Sequence, residues 1–266
     1  MGGPDKPGHD GGRRWLFIAV ALAAVLVSPP AWAGAWPVAP GETLAILKYE
    51  RAQADEAFDA DGFRVAMPPR TDESVSLYVE RGLTERLTLQ GKLGWTTGED
   101  AFVAYEGRGP MELGLRYTIL RGDQSAVSLY AGAVLAGEGR NAGYAAPGAG
   151  TTDLEARLLA GRSGTFRGQP VFAEAQLAWL DRSGLPDETH LDLTLGMEPS
   201  PRWLMLTQVY AGEAEGAAVS PRWLKLEVSA IRRFGDWRLQ AGWRETVAGR
   251  EGPAEHGPVF AVWRSF

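Results

Sequence analysis

The sequence predicts an all-β fold: a closed, antiparallel, up-and-down transmembrane β-barrel of about twelve strands that follows a cleaved signal peptide. Three observations predict this fold. A short apolar leader precedes a small-residue cleavage motif. Segments of about ten residues then alternate apolar and polar side chains along the rest of the chain. Finally, tight connections between these segments alternate with longer ones. We therefore expect a signal peptide over residues 1–33 and one barrel over residues 34–266.

The leader has the order of parts found in secretory signal peptides. Arg13 and Arg14 precede the apolar run from Trp15 to Val27, and Ala31-Trp32-Ala33 places small residues two apart before Gly34. This order predicts cleavage after Ala33 and export from the cytoplasm. The apolar run is shorter than the roughly 20 residues that a membrane-spanning helix needs. Asp5 and Asp10 are atypical of a basic n-region, so a start codon downstream of Met1 is an alternative.

The composition excludes several classes of chemistry. The chain contains no cysteine, so it has no disulfide, thiolate metal site or cysteine nucleophile. Its net charge of −6 and the lack of a basic cluster argue against a nucleic-acid partner. The stretch from Asp59 to Gly62 resembles part of a calcium loop but lacks the bidentate Glu, so a solvated acidic loop is the better interpretation. We expect no metal and no cofactor.

Alternation of period two defines the strands. The clearest case is the stretch from Leu87 to Thr96, in which leucines and Trp95 share one face and Thr, Gln and Lys side chains share the other. The predicted strands cover residues 43–53, 72–82, 85–97, 109–120, 125–136, 152–162, 169–181, 188–198, 202–213, 221–233, 236–247 and 256–266. An even number is expected of a single-chain bacterial barrel whose termini lie on the same side of the membrane.

The connections form two classes. Tight turns are predicted at Gly82–Thr84, Arg121–Gln124, Glu198–Arg202 and Phe234–Asp236, as expected on the periplasmic side. Longer loops are predicted at Ala54–Thr71 and Gly137–Thr151, as expected on the outer side, and the second of these either folds into the barrel or stays outside. The segment 163–168 is of intermediate length.

Alternation alone does not distinguish a membrane barrel from a soluble sandwich, whose apolar face points inward. Strand length favours the barrel, since soluble strands usually have about five or six residues. Tryptophan placement is a second argument, because membrane barrels carry aromatic girdles at both interfaces. The predicted girdle residues are Trp95, Trp179 and Trp223 at the outer rim and Trp203, Trp237 and Trp263 at the periplasmic rim.

The last strand ends on Phe266, and in this respect the chain resembles outer-membrane β-barrels, whose terminal strand finishes with an aromatic residue that is recognised during assembly. The resemblance implies that Phe266 is an assembly signal, that the barrel lies in outer-membrane lipid, and that the barrel-assembly machinery is a partner. Arg264 departs from this pattern, because the position two before the final aromatic residue is usually apolar.

The polar phase of each strand is expected to line the lumen. Its charged members are Glu80, Lys92, Glu112, Arg116, Asp153, Glu155, Arg157, Glu174, Asp192, Lys225, Glu227, Arg238 and Arg244. About twelve strands leave more room than a filled eight-stranded barrel and less than a sixteen-stranded porin. We therefore expect a narrow channel for small polar or amphipathic solutes. For any single charged residue, a place in a structural network that braces the barrel wall is an equally good interpretation.

The stretch from Gly107 to Tyr117 resembles the glycine-rich turn and G-x-[KR]-Y strand of outer-membrane proteins grouped with phenol-degradation (meta-pathway) genes. Pro110 stands where that pattern has an acid, and the stretch from Gly148 to Arg157 repeats the shape loosely, with Asp153 near the acidic place. The resemblance implies a barrel that moves hydrophobic or aromatic compounds.

Two other functions are weighed against a channel. A barrel enzyme like the outer-membrane phospholipase needs a Ser and a His that face lipid on neighbouring strands. His9 belongs to the leader, His190 falls on the inward phase and His256 lies at a loop edge, so we do not expect an enzyme. A structural or adhesive barrel without transport is the other alternative, and the modest loops give it little support.

Overall fold

The structure is a computed structural model that describes residues 34–137, 152–216 and 220–266. The predicted signal peptide over residues 1–33 and all but the first residue of the predicted loop Gly137–Thr151 lie outside the described residues, so both stay predictions. The described part of the chain contains no helix long and apolar enough to cross a membrane.

The described residues form one closed antiparallel sheet. Its strands are β1 (Thr43–Phe58), β2 (Arg64–Gly82), β3 (Leu87–Glu99), β4 (Ala104–Arg108), β5 (Met111–Arg121), β6 (Ser125–Leu135), β7 (Thr152–Phe166), β8 (Gln169–Asp181), β9 (Glu188–Ser200), β10 (Trp203–Ala214), β11 (Arg222–Phe234), β12 (Trp237–Arg250), β13 (Gly252–Pro253) and β14 (His256–Ser265). Strand β1 pairs with both β2 and β14, which closes the barrel.

Two of the wall strands are interrupted. Strands β4 and β5 both pair with β3 and are separated by Gly109 and Pro110, where the proline removes a backbone donor. Gly109 N still donates to Gly94 O at 2.8 Å, so the strand continues across the break. Strands β13 and β14 both pair with β1 in the same way. Counted as wall strands, the described elements therefore number twelve, which confirms the predicted barrel.

The first hairpin corrects the predicted loop at Ala54–Thr71. Strand β1 continues to Phe58 and β2 begins at Arg64, and these two residues pair directly. The turn between them is stabilised by Asp59, whose Oδ1 accepts hydrogen bonds from the backbone N–H groups of Asp61 and Phe63, both at 2.9 Å. This hairpin carries polar side chains on both faces, so backbone pairing continues there without the alternation that marks a membrane strand.

The connection at residues 163–168 is a tight turn. Strand β7 runs to Phe166, which pairs with Gln169 at the start of β8. The two residues between them, Arg167 and Gly168, have φ values of 52° and 78°, as a two-residue hairpin turn of type I′ requires. We call the rim that holds this turn and the other tight turns the turn end, and the opposite rim the loop end.

The outer face of the barrel is an apolar belt. Large side chains point outward from strand after strand and stay exposed, among them Leu93, Leu113, Leu158, Leu195, Leu239 and Phe260. Soluble monomers rarely expose a contiguous apolar surface of more than a few hundred Å². A sheet whose whole outer face is apolar and whose backbone is closed on itself is suited to lipid, which offers no hydrogen-bond partner.

Four of the six tryptophans predicted for the aromatic girdles point outward, and their role as girdles stays a prediction. Trp95 and Trp179 point outward near the loop end, and Trp203 and Trp237 point outward near the turn end, each 39% to 51% exposed. The assignment of Trp223 and Trp263 to the girdles was wrong. Trp263 Nε1 donates to the lumen side chain of Gln240 at 2.9 Å, and Trp223 lines an internal cavity. Both lie two residues from other inward side chains, and period two places them in the lumen.

The two ends of the barrel meet at the turn end. Thr43 and Phe266 exchange backbone hydrogen bonds of 2.8 and 3.0 Å. The outward guanidinium of Arg264 lies over the rings of Trp237 at 4.7 Å and Phe266 at 5.6 Å. These cation–π contacts accommodate a charge at the position that is usually apolar in such strands.

Candidate functional site

The lumen is lined by the polar phase of the strands, and its charges are gathered into clusters. The structure places the charged residues predicted for the lumen on inward positions of the sheet, and their pairing brings most of them into contact with an opposite charge.

The first cluster lies in the half of the lumen nearer the turn end. The side chains of Glu80 on β2 and Arg116 on β5 are both completely buried, and Nη1 of Arg116 lies 2.7 Å from Oε1 of Glu80. Tyr78 OH and Gln90 Nε2 donate to the same carboxylate oxygen at 2.5 and 2.6 Å. The carboxylate therefore has a full set of partners, which a buried ion pair needs to offset its desolvation.

The second cluster surrounds Arg157 on β7. Its guanidinium lies 2.5 Å from Glu112 and 2.6 Å from Glu155. The same guanidinium stacks over the ring of Tyr130 at 4.4 Å, and the Tyr130 hydroxyl donates to Glu112 at 2.6 Å. Strands β5, β6 and β7 are thus joined by one network on the inner wall.

The third cluster lies on strands β1, β11 and β12. Arg244 lies 2.6 Å from both Glu227 and Glu50, and Lys48 lies 3.1 Å from Glu50. Lys48 and Glu50 were missed by the sequence analysis. Adjacent Ile46 and Leu47 hide the phase of β1, so alternation gave no clear signal there.

Two further ionic groups lie near the loop end. Arg182 contacts Asp153 at 3.2 Å and also pairs with Glu188, whose other oxygen lies 2.8 Å from Nε2 of His190. Lys225 pairs with Glu255 at 2.7 Å. Arg182, Glu188 and Glu255 lie at strand ends or in loops, where period two ends, and the sequence analysis missed them for that reason.

An internal cavity of about 250 Å³ lies between these two groups. Part of its lining is apolar, with Phe58, Val134, Leu180 and Trp223. Charged side chains of the Arg182 and Lys225 groups described above form another part of the lining. A mostly apolar pocket with a few charged groups is the usual form of a site for small amphipathic molecules.

Side chains do not fill the middle of the lumen. On the inward phase of β3, Thr88 and Gln90 are buried with 0% and 2% exposure, whereas Lys92 is exposed. Asp192 on β9 is half-buried. Because an exposed side chain on an inward position needs space in front of it, the lumen is not filled at this level. Arg238 is also half-buried and points inward nearer the turn end.

The chain that precedes β1 lies inside the barrel at the turn end, and the sequence analysis did not foresee it. Ser128 Oγ donates to Ala35 O at 2.7 Å, and Arg116 Nη2 donates to Trp36 O at 2.8 Å. The Trp36 ring packs edge-on against Phe172, and Ala35 is completely buried. We call residues 34–40 the inner segment. It narrows the lumen at the turn end.

Comparison with known proteins supports the fold. No family model matches the sequence, and no curated protein matches it. The fold is similar to that of an outer membrane channel from Pseudomonas putida F1, with a TM-score of 0.70 and 16% identity over 90% of this chain and 100% of that chain. It is also similar to the translocator domain of the autotransporter NalP from Neisseria meningitidis, with a TM-score of 0.51 and 12% identity over 95% of this chain and 96% of that chain. At these identities the similarity shows the fold alone, a membrane β-barrel.

Proposed function

We propose that the protein is an outer-membrane channel for small polar or amphipathic solutes, including aromatic ones. The observation that carries this proposal is the exposed Lys92 on the inner wall, which shows unfilled space in the middle of a barrel whose outer face is apolar. The name of the similar Pseudomonas protein, an outer membrane channel, agrees with it.

In the proposed orientation, the turn end faces the periplasm and the loop end faces outward, as is general for bacterial barrels. Export depends on the predicted signal peptide. Phe266 at the turn end is the proposed recognition point for the barrel-assembly machinery, and outer-membrane lipid surrounds the apolar belt.

The cavity at the loop end is the proposed entry site for solutes. Trp223 and Phe58 offer aromatic surfaces for the solute. Lys225 and Arg182 are now paired with protein carboxylates, and either cation can pair with a carboxylate of the solute instead. This combination suits a small aromatic acid or phenol, in line with the resemblance to barrels of the phenol-degradation type.

The test of the channel is conductance of the purified protein in planar bilayers, together with uptake of labelled solutes by liposomes. We expect small, discrete conductance steps and faster uptake of benzoate than of a disaccharide. Absence of both conductance and uptake would contradict the proposal and favour a structural barrel.

Replacing Trp223 with Ala tests the entry site. Loss of one aromatic contact costs about 1 kcal/mol in addition to the lost apolar area, so we expect benzoate to block the current at least roughly fivefold less tightly. Trp179 is the matched control, because it also lies near the loop end but points into lipid. An equal effect of Trp179→Ala and Trp223→Ala would show that the cavity does not bind the solute.

The lumen and wall give the phospholipase alternative no support. His256 stacks on the outward Trp243 at a centroid distance of 6.0 Å, but strands β1 and β12, which flank β14, contain no serine. His190 is bound to Glu188 and packs against Trp223 inside the barrel.

A further inference from the structure

The carboxylate of Glu174 is buried beside the inner segment, and its described hydrogen-bond donors are neutral. Its side chain accepts hydrogen bonds from Ala35 N at 2.8 Å and from Gln176 Nε2 at 2.6 Å, and the residue is 7% exposed. Among the described residues, no Lys, Arg or His side chain forms an ion pair with it. Arg116, a neighbouring cation, is engaged by Glu80. A buried carboxylate is costly unless a positive charge or several strong donors offset its desolvation.

Gly34 lies directly against this carboxylate. A Cβ atom built on Gly34 would fall 1.8 Å from Oε2 of Glu174, so any larger residue there collides with the carboxylate. The nitrogen of Gly34 is one bond of about 1.46 Å from the same Cα atom. Standard geometry places that nitrogen about 2.5 Å from the Cβ position and so no more than about 4.3 Å from Oε2. A positive charge on the nitrogen would therefore lie next to the carboxylate of Glu174.

The predicted cleavage site supplies such a charge. Cleavage after Ala33 converts the amide nitrogen of Gly34 into a free α-amino group, which is mostly protonated at neutral pH. The new amino terminus would then be an ammonium with three donors beside a carboxylate, which gives a charge-assisted hydrogen bond of the stronger kind.

We infer that Glu174 is a binding site for a primary ammonium, the α-amino group of the mature chain, and that this ion pair holds the inner segment in the lumen. Before cleavage the amide nitrogen has no charge, and the leader continues from the position that the ammonium would occupy. Removal of the leader thus creates the ligand for a site already present in the barrel wall. This inference depends on cleavage after Ala33 and is independent of whether the lumen conducts.

The first test uses the wild-type protein purified from outer membranes. Mass spectrometry should identify Gly34 as the first residue. A reagent specific for α-amines should then label the folded protein at least about tenfold more slowly than the urea-unfolded protein. A different first residue, or equal labelling rates in the two states, would overturn the inference without any variant.

Two variants separate the ion pair from simple burial. Glu174→Gln removes the charge but keeps the shape, and a refolded chain that retains Ala33 moves the ammonium by one residue, about 3.8 Å. Both should lose most of the protection. Asp192→Asn on the adjacent strand is the control, since Asp192 points inward and no described hydrogen bond joins it to the inner segment. Protection that survives in both variants would show that the other contacts hold the segment and that Glu174 does not bind the amino terminus.

Discussion

Replacing Glu80 with Gln removes the carboxylate that pairs with the buried guanidinium of Arg116. Both side chains are completely buried, and two nitrogen–oxygen contacts of 2.7 and 3.2 Å join them. Breaking a buried ion pair by removal of one partner costs about 3–5 kcal/mol, because the remaining charge is left without compensation. The amide of the variant keeps an acceptor for Arg116, so we expect the free energy of unfolding to fall by about 3 kcal/mol, the lower end of that range.

An exposed ion pair supplies the control. Arg121 and Glu85 lie 3.2 Å apart at the turn end with side chains 51% and 76% exposed. Exposed pairs contribute about 0–1 kcal/mol, so Glu85→Gln should leave the stability nearly unchanged. The difference between the two variants measures the effect of burial with the same chemical change.

The assay is urea unfolding of the protein in phospholipid vesicles, followed by tryptophan fluorescence. The double variant Glu80→Gln with Arg116→Met should be more stable than the sum of the single effects predicts, by at least about 1 kcal/mol, because it no longer buries a lone charge. If Glu80→Gln lowers the stability no more than Glu85→Gln, or if the two changes at the buried pair are additive, the buried ion pair does not brace the lumen.

Two other predictions concern the wall and the inner segment. Leu193 lies mid-strand on the outward face of β9, so Leu193→Arg should lower the free energy of unfolding by about 2–4 kcal/mol. Val247→Arg, near the loop end, should lower it by only about 0–1 kcal/mol. Equal losses for the two variants in urea unfolding would argue against lipid around the belt. A Cβ at Gly161 would lie 2.5 Å from the Trp36 ring, so Gly161→Val should displace the inner segment and raise the single-channel conductance. Gly164→Val on the same strand is the control, because a Cβ there meets nothing within 4 Å, and it should leave the conductance unchanged. An unchanged current in Gly161→Val would mean that the segment does not narrow the path.

The wall of the barrel could be predicted because lipid and lumen impose opposite chemistry on alternate residues. Period two therefore located the wall strands inside the apolar belt, and it was least clear in β1, where Ile46 and Leu47 are adjacent. The same signal fails beyond the belt, where water reaches both faces. That is why the hairpin extension from Ala54 to Thr71 looked like a loop although its backbone stays paired.

The inward phase of most strands could be predicted, but the contacts among the lumen side chains could not. Alternation assigns Trp223 to the same face as Lys225 and Glu227, and its assignment to a girdle overlooked this in favour of its place near a strand end. The pairing of Arg157 with both Glu112 and Glu155 depends on side-chain reach across neighbouring strands, which the sequence does not encode locally. The inner segment has no periodicity, and its place in the lumen follows from contacts with six different strands.

The seam between β1 and β14 has a consequence for how the chain acquires its fold. Thr43 and Phe266 are separated by almost the whole barrel sequence, so closing this seam has a larger loop-closure entropy cost than forming any of the hairpins. Until that moment the sheet has two free edges, each able to pair with another chain. A copy that stops short of β14 keeps both edges permanently, and its fate is aggregation or proteolysis rather than a smaller pore.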